Sequence, residues 1–207
     1  MLKILIKGDG FVDKYDVQQD DIQQNDVQQN DVVQDDVPPK DWITKTIEDE
    51  KTEFKSSIQI NVKRYDLGET KHEELKERTL VEEIVKTICG FGNANGGELI
   101  IGKRDDGTIF GLEYDMKLLK EANIDQLQNY LATMFRERIK DVGFVSKLKV
   151  YFDTVDEKTI CLVKVPSRGK DPIFTSEQKF YVRIQTSTQN LSPQETNDYI
   201  KENFPSR

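Results

Sequence analysis

The sequence predicts an α+β domain with a largely antiparallel sheet and flanking helices, preceded by a low-complexity leader. Short apolar runs with period-two alternation cluster in the second half of the chain and are joined by turn residues. Two longer stretches repeat apolar residues every three or four positions, as helices lying on a sheet do. A glycine break, Asn95-Gly96-Gly97, separates the first of these from a strand. Strands in runs with helices set apart mark α+β rather than alternating βαβ units. At 207 residues, 36% hydrophobic and 33% charged, the chain suits one domain with a modest core plus an appendage.

The appendage comes first. In residues 1–15, Leu2, Ile4 and Ile6 alternate before Gly8-Asp9-Gly10, which reads as a short strand and turn. From Asp16 a five-residue repeat runs DVQQD, DIQQN, DVQQN, DVVQD, DVPPK. A pentapeptide β-helix would stack Val17, Ile22, Val27, Val32 and Val37, but it needs a small residue two places earlier, where this chain has Asp or Asn. Residues 16–41 therefore read as an acidic, Asp/Gln-rich tether with too little apolar surface to offset the entropy of ordering it. Ten aspartates and four lysines fall in residues 1–42, so six of the eight net negative charges belong to the leader. The rest of the chain is almost neutral, and the low pI does not exclude a polyanionic partner.

The ordered domain is expected over 42–207. Glu53-Phe54-Lys55 opens an extended segment through Val62, and Lys63 to Lys76 is a polar loop turning helical. Thr79-Leu-Val-Glu82 has the capping-box pattern, and Leu80, Ile84, Ile88 and Phe91 then share one helical face. After the glycine break, Leu99-Ile100-Ile101 is a buried strand and Asp105-Asp106-Gly107 a turn into a second one. Ile124, Leu127, Leu131, Phe135 and Ile139 mark another helix, with Arg136, Arg138 and Lys140 on its other side. Strands follow near 146–152, 159–165 and 179–184, with turns at Asp156-Glu157 and Ser176-Glu177. Ser192-Pro-Gln-Glu195 caps a last helix that turns Ile200 and Phe204 inward.

Several chemistries are weakly supported. The glycines follow a helix and precede a strand, the reverse of a phosphate-cradling loop, and no GxxxxGK[ST] occurs. His72, the only histidine, sits in a polar run away from any candidate nucleophile. Cys89 and Cys161 lie in apolar contexts and read as buried free thiols of a reducing, cytoplasmic compartment. No apolar run approaches the ~20 residues that span a bilayer. Glu48, Asp49, Glu50 and Glu53 form an acidic cluster that could hold Mg²⁺ or Mn²⁺ or simply be a solvated face. Lys147, Lys149 and Tyr151, and again Lys179, Tyr181 and Arg183, interleave bases with a ring on one strand face. Phosphate-reaching cations beside stacking rings suit a nucleic-acid surface, although any wet sheet face can carry them. Their alternates, Leu148, Val150 and Phe152, and Phe180, Val182 and Ile184, would face the core.

Four motifs in order complete a pattern. They are Glu48-x4-Glu53-Phe54-Lys55, Ile88-Cys-Gly-Phe-Gly-Asn-Ala-Asn-Gly96-Gly97, Ile101-Gly-Lys-Arg-Asp105-Asp-Gly-x-Ile109-x-Gly111-Leu112, and Phe180-Tyr-Val-Arg183 with Ser187-Thr188. Together, over roughly 43–204, they resemble the Schlafen-like, divergent Alba-type DNA-binding domain. The resemblance implies a nucleic-acid-binding lobe that needs no cofactor to bind, with Lys55, Lys103 and Arg104 as further cations beside the motif turn. It also implies a homodimer, since Schlafen proteins pair two lobes into a groove around structured RNA. Nuclease-competent Schlafens hold a divalent metal on three carboxylates. Two fall on Glu48 and Glu53, and the third falls on Arg104, leaving neighbouring Asp105 as the substitute. With a guanidinium there, Glu48 and Glu53 are expected to pair with Lys55 or Arg104 and the domain to bind without cutting. A metal-dependent endoribonuclease using Mg²⁺ or Mn²⁺, and a regulatory protein-interaction module, are the alternatives. Gln185 stands where the pattern often has glycine.

Overall fold

A computed structural model describes residues 40–204, which lie within one compact unit, Val37–Arg207. The strand, turn and repeat readings for residues 1–39 lie outside the described residues. In chain order the elements are α1 (Asp41–Thr44), β1 (Thr52–Lys55), α2 (Val62–Asp66), α3 (His72–Leu75), α4 (Thr79–Gly92), β2 (Gly97–Ile101), α5 (Glu113–Met116), α6 (Ile124–Arg138), α7 (Val142–Val145), β3 (Lys149–Val155), β4 (Lys158–Val165), β5 (Tyr181–Ile184), β6 (Ser187–Asn190) and α8 (Pro193–Asn203).

The central sheet has the order β1-β2-β4-β3. Only β1 and β2 are parallel, and the long connection between them carries α2 to α4, as a parallel crossover requires. β2–β4 and β4–β3 are antiparallel, the latter joined at Asp156-Glu157, both at positive φ. Leu99, Ile101, Cys161 and Val163 face the main core with Ile84, Ile88 and Phe91 of α4 and Leu127, Leu131 and Phe135 of α6. The opposite face holds Phe54, Ile100, Ile160 and Leu162 under Trp42 of α1. β4 is buried on both faces, which is why ICLV reads as an unbroken apolar run. Gly96, at φ +69°, lets the Val165–Ser167 backbone come close, since a Cβ there would meet the Val165 carbonyl at 2.6 Å.

A second sheet, the β5–β6 hairpin, lies on the C-terminal half of α4, and α8 closes a small cluster of Ala94, Phe180, Val182 and Phe204. The capping box at Ser192–Glu195 forms as expected. The one at Thr79 does not: Arg78 is the N-cap, and the Thr79 hydroxyl donates instead to Glu77 at 2.8 Å. The strand expected after Gly107 is also absent. A single Lys103↔Ile109 bridge forms before Phe110 and Gly111 both donate to the Gly102 carbonyl and the chain turns into α5. β6 was not anticipated, because Ser-Thr-Gln-Asn lacks an apolar alternation.

Candidate nucleic-acid interface and carboxylate cluster

The carboxylate cluster is built on β1 and the loop before it. Glu53 is half-buried and grips Lys55 on one side and the Arg183 guanidinium, 2.7 Å away, on the other. Glu48 turns back to accept the Phe54 N–H at 2.7 Å. Burial pushes the Glu48 carboxyl up, the Phe54 N–H opposes this, and the charges of Glu53 and Asp105 add to the rise while Lys55 offsets part of it. Asp105 is exposed and borders a cleft of about 430 Å³ with Lys55, Ser56 and Lys63.

Two of the expected surface cations are buried. Arg183 is 7% exposed, donates to Glu53 and to the Asp49 and Thr52 carbonyls at 2.8 and 3.3 Å, and lies over the Phe91 ring. The alternation along β5 is as expected for Phe180 and Val182, but the opposite face lies on α4 instead of in water. Ile184, expected inside, is exposed because it leads into the turn at Gln185, which takes φ +54° where the pattern often has glycine. Lys103 is 1% exposed, donating to the Ile43 and Lys45 carbonyls, and burial lowers its pKa. Arg104 pairs bidentately with Asp66 at 2.6 and 2.8 Å and lies over Phe110, so it engages neither Glu48 nor Glu53.

This donor set does not fit the Mg²⁺ or Mn²⁺ that the resemblance implies. Glu53 is held by two cations, Glu48 serves a backbone N–H, and Arg104, which the resemblance sets at the third ligand position, is paired with Asp66. Among the described residues no three His, Cys, Asp or Glu side chains gather closely enough to hold a metal ion.

The other cations lie at two separate places. Lys179 and Tyr181 border a small depression with Arg138 and Glu177, and Lys179 pairs with Glu177 at 2.7 Å. Lys147 and Lys149 lie at the start of β3, where Leu148, Val150 and Phe152 pack on the main core as expected. The β3–β4 register sets Lys149 directly opposite Lys164, and Lys147 shares a cleft of about 380 Å³ with Lys170. Arg168 is exposed in the same loop. Lys149 and Tyr151 each make a further interaction in the chain. Lys164, Arg168 and Lys170 escaped the sequence reading because they sit singly in β4 and a loop; the register joins Lys164 to β3, and the cleft sets Lys170 beside Lys147.

Two buried polar residues were also missed. Asn93, at the end of α4, exchanges hydrogen bonds with the Ile173 backbone at 2.8 Å both ways and donates to the Tyr181 carbonyl at 2.9 Å. Asp115 accepts from Ser57 Oγ and from the Ile58 and Gln59 N–H groups, fixing the segment after β1. The Asn-Ala-Asn run was a signal for the first; nothing in the sequence marked the second. His72 is stacked on Tyr114, and both cysteines are buried and free, with Cys89 pushed up to about 12 by burial.

No helix among the described residues is long and apolar enough to cross a membrane. No curated protein matches the chain. Among solved structures, the DIP2311 protein from Corynebacterium diphtheriae is similar at 16% identity with a TM-score of 0.48, over 76% of this chain and 28% of that one. The N-terminal domain of a RecG-related protein from Nitrosomonas europaea is similar at 19% identity with a TM-score of 0.39, over 74% of this chain and 88% of that one. The profile of the Schlafen, AlbA_2 family matches residues 48–192, a span holding the four motifs, β1 through β6 and the carboxylate cluster, and the chain therefore belongs to the Schlafen, AlbA_2 family.

Proposed function

We propose that the domain binds nucleic acid, DNA or RNA, at the end of the central sheet where Lys147, Lys149, Lys164, Arg168 and Lys170 gather. The observation that carries this is the register placing Lys149 opposite Lys164. Like charges directly opposite on neighbouring strands are destabilising. Here Glu98, 3.8 Å from Lys164, and the cleft's Asp141 and Asp171 are the nearby acids against five bases. A polyanion laid there adds to the neutralisation that these acids and the Lys149 interaction already give, and it releases counterions. Family membership supports the same ligand class. Lys179 and Tyr181 form a second, smaller contact, while Lys103 and Arg183 serve the fold. Binding needs no metal in this reading, and no hydrolytic step is assigned to Glu48, Glu53 or Asp105. Two copies would supply the paired lobes of a groove; sedimentation showing only monomer at tens of micromolar would remove the dimer.

The test is fluorescence anisotropy with labelled tRNA and single- and double-stranded DNA across a salt series. Affinity should fall steeply with salt, with a slope of about 0.9 per duplex phosphate or about 0.7 per single-strand phosphate contacted. Replacing Lys147, Lys149 and Lys170 together by alanine should weaken binding and flatten that slope. Undiminished binding in the triple variant would show that another face is used. Metal-dependent cleavage that disappears in Glu53→Ala would overturn the binding-only reading.

A further inference from the structure

A cleft of about 230 Å³ lies where α4 begins beside α6 and shares no lining residue with the basic sheet end. We propose that this cleft binds a phosphate group, held by Lys76, Arg78 and Arg138 around the Gln59 amide. The phosphate would belong either to a free phosphate compound or to the end of a nucleic-acid strand.

Four observations converge on that chemistry. Lys76, Arg78 and Arg138 all line the cleft, and none forms an ion pair with a described residue. Of the neighbouring acids, Glu77 is engaged with Asn61 and the Thr79 hydroxyl at 2.5 and 2.8 Å and Glu177 with Lys179, while Glu82 lines the adjoining depression with Arg138. Glu137 is the single carboxylate in the cleft wall and sits against three cations. The first turn of α4 meets the cleft through Arg78 and Val81, and no side chain caps it; the Val81 N–H turns back to the Arg78 carbonyl at 3.3 Å and Glu82 is the one acid in that turn.

Gln59 is the most telling residue. It is only 7% exposed, its backbone is fully used by Asp115 and Glu77, and its side-chain amide bonds to no described residue. With no partner in the described chain, the amide meets solvent only where the residue lines this cleft, and facing a cleft of bases it is placed to donate to an anion. Tyr130 adds a hydroxyl on the α6 side; burial raises its pKa, so it stays a donor at neutral pH.

The experiment titrates the full chain with inorganic phosphate at constant ionic strength, followed by calorimetry, and compares 5′-phosphorylated with 5′-hydroxyl oligonucleotides of one sequence. Lys76→Gln with Arg78→Gln is the main variant, since both side chains are exposed and the fold does not depend on them; Gln59→Leu is the second. Saturable phosphate binding weakened about tenfold or more in the double variant, the loss expected when charge-assisted hydrogen bonds go, supports the site. A free-phosphate ligand then shows no difference between the two oligonucleotides, whereas a strand end makes the phosphorylated one bind more tightly, with the advantage lost in the variant. The Lys147, Lys149 and Lys170 triple variant should leave phosphate binding intact, which separates this site from the sheet end. Absence of saturable phosphate binding, or equal binding by wild type and the double variant, overturns the proposal.

Discussion

Replacing Arg183 with methionine keeps most of the side-chain volume but removes a guanidinium that three groups depend on. Glu53 loses its 2.7 Å partner, and the Asp49 and Thr52 carbonyls lose their donors. Removing one member of a buried pair typically costs ~3–5 kcal/mol, because the other charge stays buried and uncompensated. Glu53 is 14% exposed and keeps Lys55, which places the loss near the low end, ~3 kcal/mol. For a domain of this size, ~3 kcal/mol lowers Tm by roughly 6–12 °C. Urea denaturation followed by circular dichroism measures it, and Glu53→Gln in the same chain should recover part of the loss as a coupling energy. Nucleic-acid affinity of the folded variant should be unchanged. A stability loss under ~1 kcal/mol together with a large fall in affinity would mean that Arg183 faces the ligand and that this account of the hairpin is mistaken.

Three further perturbations follow from the packing and the buried charge. A Cβ at Gly90 would lie 2.5 Å from Thr188 Cγ2, so Gly90→Ala should cost ~1–3 kcal/mol by displacing β6, and Thr188→Ser should restore part of it. Burial raises the Asp115 pKa to about 6, with its three hydrogen bonds opposing and Glu113 adding. The folded state thus holds that proton more tightly than the unfolded chain; its contribution is full below the ordinary carboxylate range and is lost as pH rises through about 6. The total is ~3 kcal/mol, with about 1 kcal/mol falling between pH 5 and pH 7. Asp66, Asp106, Asp153, Glu177 and Glu195 are lowered, so they act only below that window. Stability should therefore be higher near pH 5 than near pH 7, and Asp115→Asn should flatten the difference; a profile rising toward neutrality would contradict it. Ser192→Ala should cost ~1 kcal/mol by thermal melt, whereas Thr79→Ala should cost only a few tenths, since its hydroxyl caps nothing.

The helices and central strands were legible because burial writes a period into the sequence. Ile84, Ile88 and Phe91, and Leu127, Leu131 and Phe135, all reached the core, and Asp156-Glu157 made its turn. What failed was decided by partners distant in the chain. Alternation correctly paired Tyr181 with Arg183, but only the docking of β5 on α4 reveals that Arg183 is buried there while Tyr181 stays half-exposed. Glu53 and Arg183 meet across 130 residues, and no local pattern announces that. The Thr79 cap was lost because the helix starts one residue early, with Arg78 at the N-cap in a helical conformation and Thr79 already inside. The carboxylate cluster was found, yet what each carboxylate holds was readable only in space.

The exposed loop carrying Arg168 and Lys170 is fastened on both sides of them to the turn that follows α4. Ile173 is bonded to Asn93, the Arg168 N–H reaches the Ala94 carbonyl at 3.0 Å, and Gly96 allows the Val165–Ser167 backbone to lie against it. A loop so anchored has few conformations left to lose when it meets a ligand. Much of the backbone entropy that a slack basic loop would surrender on association was surrendered when the domain folded, so its cations hang from a backbone already in place.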